Sequence, residues 1–235
     1  QFLSKPSERH KYIYYSTKRY KRHHVLQFIL YIPMQQQQQQ LQPQHQFPPC
    51  PLHHYSATAA LTAPKDYPFL YTPSSNSAFT QTTSLSSLLT SSTLPSNVTV
   101  QNSDSLSTLP YSVNLKDHLN KSYHHETSSY LFGYTYSPSW LSYLSSYVPP
   151  TFLDTGPNDW STLTPSLGFS GSGYGVQFHT HGPVVSEVFL GDKTWFLYPP
   201  GFKPSGDISL NVSEWLRRYR FVDDGVVVCT VEEGG

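Results

Sequence analysis

The stretch Gly173–Pro200, GYGVQFHTHGPVVSEVFLGDKTWFLYPP, decides how this chain is read. Two histidines, His179 and His181, stand two apart at the end of an extended run. Side chains at i and i+2 of a strand share a face, so both imidazoles can aim into one space. That geometry suits two ligands on one metal ion, and imidazole accepts iron, zinc, copper or nickel. Solvated polar side chains on an exposed strand are the competing reading. The chain holds 11 His, several in clusters with no evident role, such as His23-His24, His53-His54 and His124-His125.

Beyond this pair lie two β-prone runs, Val184–Leu190 and Lys193–Tyr198, joined by Gly191-Asp192. A two-residue link with Gly first predicts a hairpin with a II′ turn. Its register sets Leu190 against Lys193, Val188 against Trp195 and Ser186 against Leu197. Cross-strand partners share a face, so Ser186, Val188, Leu190, Lys193, Trp195 and Leu197 line one side. That side is mostly apolar and is predicted to face inward. A lysine there either snorkels at the edge or pairs with an anion held inside. Glu187 falls on the opposite face, which favours Lys193 over Glu187 as the polar group of the pocket.

Composition bounds the rest. Of 235 residues, 37% are apolar and 13% charged, with 20 Pro, so the folded part is expected to be shorter than the chain. Net charge is zero, but Lys5, Arg9, Lys11, Lys18, Arg19, Lys21 and Arg22 all precede His23. The remainder is mildly acidic, which argues against nucleic acid as its partner. No run of about 18 apolar residues predicts a transmembrane helix. The segment Lys18–Pro33, KRYKRHHVLQFILYIP, has a basic flank and a short apolar run like a signal peptide, interrupted by Gln27 and without a clear cleavage site. Cys50 and Cys229 are too few for a disulfide framework. Asn97, Asn120 and Asn211 each open an Asn-x-Ser/Thr sequon and are candidate glycosylation sites.

Residues 1–92 are expected to be low-complexity and mostly disordered, with six glutamines from Gln35 onward and a Ser/Thr-rich stretch after Ser74. Residues 93–235 are expected to form the domain. Asn97–Gln101 alternates as a first strand, Asn114 caps a short helix, and Tyr130–Tyr134 reads as a strand. Ser137 caps a second helix with Pro138 at its first position, ended by Pro149-Pro150. A strand surrounds Gly168, and Gly171 and Gly173 mark a turn or a close backbone approach. No Gly-Lys-Ser/Thr follows them, so the phosphate-loop reading fails.

The string His-x-His-Gly-Pro, Ser-Glu-Val, Gly-x-Lys-x-Trp-Phe-Leu-Tyr-Pro-Pro, with Asn211–Arg217 and Cys229–Gly234, resembles the JmjC/cupin-like domain proteins. The resemblance covers residues 165–235 and, more loosely, 95–164. It implies an all-β double-stranded β-helix, a cupin or jelly-roll barrel with a few short helices, incomplete at the C-terminus. It further implies Fe(II) and 2-oxoglutarate as cofactors. His179 would be the first metal ligand and His181 would stand where the family usually has a carboxylate. A third ligand is expected beyond residue 235. Lys193 matches the 2-oxoglutarate lysine and Ser186 a polar co-substrate contact, while no catalytic residue is assigned. The implied activity is that of a 2-oxoglutarate-dependent dioxygenase acting on a protein substrate or partner in the endoplasmic reticulum lumen. The imidazole at His181 leaves turnover open. An inactive regulatory or scaffolding barrel, and a metal-storing or sugar-binding cupin without redox chemistry, stand as alternatives.

Overall fold

The computed structural model describes residues 12–15, 24–31, 50–56, 59–61, 68–72, 77–103, 110–134, 137–153, 163–179, 184–198, 204–210, 212–219 and 226–232. Eleven strands and five short helices occur among them. In chain order they are β1 (Tyr12–Tyr15), β2 (His24–Tyr31), β3 (His54–Ser56), β4 (Phe69–Thr72), α1 (Ser77–Thr82), α2 (Leu85–Thr90), β5 (Asn97–Asn102), β6 (Tyr111–Asn114), α3 (Leu115–Tyr123), β7 (Ser129–Tyr134), α4 (Pro138–Tyr143), β8 (Leu163–Ser170), β9 (Val184–Leu190), β10 (Asp192–Leu197), α5 (Val212–Tyr219) and β11 (Val227–Glu232). The fold is β-rich, as expected.

Nine strands form one mixed sheet, in the order β3-β4-β1-β9-β2-β8-β7-β5-β6. Parallel pairing of β2 with both β8 and β9 lies at its centre. β10 and β11 form a separate antiparallel pair. Alternation along β4 and β9 divides the interior into two cores. Phe69, Tyr71, Val185 and Phe189 join Phe79, Leu88, Tyr143, Leu144, Tyr147 and Phe152 on the helical side of the large sheet. Leu70 and Val188 face the other way and meet Cys229, Val231, Trp195 and Leu197 of the small sheet. The large sheet is thus covered on one face by helices and on part of the other by β10 and β11, so both faces bury apolar surface. Edge-on aromatic contacts fix the main core, with Phe79 centred 4.9 Å from Phe189 and 5.4 Å from Tyr147.

Local chemistry accounts for several elements. Asn114 Oδ1 accepts the Asp117 N–H at 3.1 Å and caps α3. Ser137 Oγ accepts the Trp140 N–H at 3.4 Å, with Pro138 at the first helical position of α4, as the sequence predicts. The strands expected at residues 97–101, 130–134 and around Gly168 form as β5, β7 and β8.

Two expectations about the strands are corrected. Val184–Leu190 and Lys193–Tyr198 do not pair as a hairpin. β9 pairs with β1 and β2, whereas β10 pairs with β11. Gly191, at φ 78°, turns the chain out of one sheet and into the next, a positive φ that glycine adopts without steric cost. The corner uses the same Gly-Asp signal as a turn. β5 is not the first strand either, since β1 to β4 precede it. Within residues 1–92 the described residues form four strands and two helices, and Phe69, Tyr71, Phe79 and Leu88 are buried in the main core. These few apolar side chains are spaced among Ser, Thr and Pro, so average composition does not reveal them. Cys50 and Cys229 form a single disulfide across a sequence separation of 179, one bond and no framework.

Candidate functional site: the His179 arm and the inter-sheet compartment

β8 ends at Ser170, and the chain then runs as an irregular arm through residues 171–179. Three hydroxyl and amide groups pin it. Ser170 Oγ donates to the Tyr174 carbonyl at 2.9 Å. Buried Ser103, at the end of β5, donates through Oγ to the Gly175 carbonyl at 2.9 Å and accepts the Gly175 N–H at 2.8 Å. The buried Gln177 side chain donates through Nε2 to the Ser103 carbonyl at 2.8 Å. Tyr130 adds its hydroxyl, 2.7 Å from Gln101 Oε1 and 3.3 Å from Gln177 Oε1. Burial raises the Tyr130 pKa, so the phenol keeps its proton. A polar network of this kind is stabilising when its members are satisfied.

His179 follows directly and is exposed. The expected strand geometry does not hold here, because the chain bends at Phe178 and residues 174–179 lie outside any strand. The bend returns the imidazole to its own chain, with Nδ1 2.7 Å from the Gln177 carbonyl. A carbonyl only accepts, so Nδ1 carries a proton, and in the neutral ring the lone pair is then on Nε2. A hydrogen bond from one ring nitrogen that fixes the tautomer of the other is the usual setting of a metal-ligating histidine. His181 lies outside the described residues. Among the described residues no group of three or more His, Cys, Asp or Glu side chains converges as a metal site.

Ser186 lies on β9 of the large sheet, and Lys193 and Trp195 lie on β10 of the small one. Ser186 shares the β9 face of Val188, which is directed at the small sheet. Lys193 and Trp195 share one face of β10, paired with Val231 and Cys229 of β11, and Trp195 packs in the small core with Val188. Of the grouping expected from a hairpin, Val188, Trp195 and Leu197 pack together, while Leu190 packs in the main core. Glu187 is fully buried on the opposite face of β9, with Val185 and Phe189, and does not share this compartment.

The Lys193 ammonium lies 3.5 Å from the centroid of the Trp195 ring. Burial pushes its pKa well below the usual lysine range. The Ser186 Oγ and Trp195 Nε1 atoms are buried without a hydrogen-bond partner among the described residues. A hydroxyl and an indole N–H are both donors that an acceptor would satisfy.

Sequence reading singled out His179, Lys193 and Ser186 but missed Ser103, Gln177 and Tyr130, which hold the arm. Ser103 is 72 positions from Gly175, and no local pattern links them. Of the sequons, Asn97 and Thr99 are both exposed on β5. Asn120 is exposed on α3 but its Ser122 is fully buried, and Asn211 lies outside the described residues.

Comparison with known proteins gives the same relationship. The chain is 42% identical to human JmjC domain-containing protein 8 over 90 residues, which is 37% of this chain and 32% of the human protein. It is 41% identical to the mouse protein of that name over 87 residues, 37% of this chain and 31% of that protein. The rat protein is 40% identical over 87 residues, with the same shares. This stretch of the chain is related to the JmjC family. The chain spans about a third of the length of these curated JmjC relatives. No family model and no solved structure matches it.

Proposed function

We propose that this chain carries part of a JmjC-type, cupin-like barrel that binds a divalent metal through His179 and His181, and 2-oxoglutarate through Lys193 and Ser186. The hydrogen bond from His179 Nδ1 to the Gln177 carbonyl carries the reading, because it leaves Nε2 as the ligating nitrogen on a fixed arm. Iron(II) with 2-oxoglutarate, when bound, supplies the oxidising chemistry for which the JmjC family is known. The chain's own part is to hold the imidazole in one tautomer and to offer donors to a carboxylate. An anion beside Lys193 would restore its charged form, which burial alone disfavours. A protein is the proposed substrate or partner. The Cys50–Cys229 disulfide supports an oxidising compartment such as the endoplasmic reticulum lumen, where the sequon at Asn97 would be accessible.

A non-catalytic reading draws on one observation, the seat of the Lys193 ammonium over the Trp195 ring, which gives the lysine a structural role without an anion. Calorimetry of the manganese-loaded protein with 2-oxoglutarate separates the two. The co-substrate reading expects saturable binding that Lys193→Ala lowers at least 10-fold while the metal is retained. Absence of binding, or binding unchanged by Lys193→Ala, favours the structural role.

A further inference from the structure

Phe178 stands between the two residues that define the arm, and its ring takes no part in the polar network. It contacts two other aromatic rings edge-on, with centroids 5.1 Å from Trp215 and 5.9 Å from Tyr198. Trp215 is buried on α5 and is itself tethered, since its Nε1–H donates to the Ser205 carbonyl at 2.6 Å. Tyr219, one turn later on α5, packs against Trp215 at 6.2 Å. Its ring fills the space where Gly206 would carry a Cβ, and Gly206 has a φ of 80°. The loop at residues 204–210 therefore closes onto α5. On the outer side of the helix, Glu214 accepts from Arg217 Nε at 2.8 Å and from Arg218 Nε at 2.7 Å.

We propose that α5 sets the imidazole of His179, with Trp215 and Phe178 as positioning residues that hold the bend at which Nδ1 meets the Gln177 carbonyl. Gln177 is fixed from the large sheet by Ser103 and Tyr130; Phe178 is fixed from the other side by Trp215 and Tyr198. The two anchors define the backbone on both sides of one peptide unit. Release of either lets the bend open and frees the ring to exchange tautomers. For the metal part this inference rests on the function proposed above, but the tautomer is a property of the chain alone.

The test is long-range nitrogen–proton NMR of the histidine rings in alkaline solution, where histidines are neutral, with His179 assigned from the spectrum of His179→Ala. The parent chain is expected to show His179 as a single Nδ1–H form. Trp215→Ala and Phe178→Leu should lose that signature and give averaged nitrogen shifts, and Trp215→Phe should keep it. Circular dichroism identifies any variant that fails to fold, and Phe178→Leu keeps apolar volume in case Trp215→Ala does not fold. An Nε2–H form in the parent chain, or an Nδ1–H form unchanged in folded Phe178→Leu, overturns the proposal. In parallel, cobalt(II) affinity should fall about 10- to 100-fold in the positioning variants, the usual cost of disturbing the support of a ligand. A parent chain with the expected tautomer and no cobalt binding removes the proposed function and leaves this inference standing. Cobalt binding that survives intact in variants with averaged shifts removes the positioning role.

Discussion

The His179 arm and the Gly191 corner flank β9 in sequence, yet they are held in opposite ways. The arm has almost no regular structure, and hydrogen bonds from Ser103, Ser170, Gln177 and Tyr130 fix it. The corner joins two regular strands, and apolar packing with one disulfide fixes it, while Ser186 Oγ and Trp195 Nε1 lie buried without partners among the described residues. Directional bonds suit a group that must present one nitrogen in one orientation. Packing is non-directional and leaves the polar atoms at the corner without such bonds.

The comparison breaks most sharply at the disulfide. Cys229 is fully buried on β11, and its bond to Cys50 ties the small sheet to the chain just before β3. Cys50→Ser or Cys229→Ser should cost about 2–5 kcal/mol in urea unfolding, as for native disulfides in small secreted domains. The loss should reach the corner first, read as increased hydrogen exchange in β10 and β11 before the arm. Equal loosening of arm and corner would mean that they are not separately held.

A smaller effect is expected on the arm. Gln177→Ala leaves the Ser103 carbonyl without its amide donor in a buried position, a loss of about 1–3 kcal/mol. Exchange protection should fall at Gly175, whose amide depends on Ser103, while β10 is unchanged. Stability within about 0.5 kcal/mol of the parent would show that the network does not carry the arm.

The smallest effect is at Lys193. Its folded-state pKa lies well below its value in the unfolded chain, so in between the unfolded chain holds the extra proton. Stability therefore rises with pH through that window up to the ordinary lysine value of about 10.4. Lys193→Met removes this rise. It forfeits a contact with Trp195 of about 0.5–1 kcal/mol but relieves the desolvation of the amine, so stability at neutral pH is expected to hold or rise. A variant that loses stability there, with the alkaline rise intact, would contradict the buried-amine account.

What the sequence made legible follows the range of the interactions. The caps at Asn114 and Ser137 act over three residues and could be read directly. Val184–Leu190 and Lys193–Leu197 were recognisable as strands, and of the face expected from them Val188, Trp195 and Leu197 do pack together, whereas Leu190 packs in the main core. The pairing of the two strands was not legible, because Gly191-Asp192 makes a corner whose partner strand, β11, begins 30 residues beyond β10. The contributions of Ser103 to the arm and of Cys50 to the small sheet were invisible for the same reason. At the site, His179 was legible as a candidate ligand, but its tautomer depends on a bend that strand alternation does not foresee.

The account turns on His179 as a metal ligand held by the arm. The most direct measurement is the metal content of the purified chain after anaerobic loading with Fe(II) and removal of free ion. About one equivalent of iron is expected in the parent, and its loss in His179→Ala, with the fold unchanged by circular dichroism. Iron retained equally by His179→Ala, or absent from a folded parent chain, would contradict it.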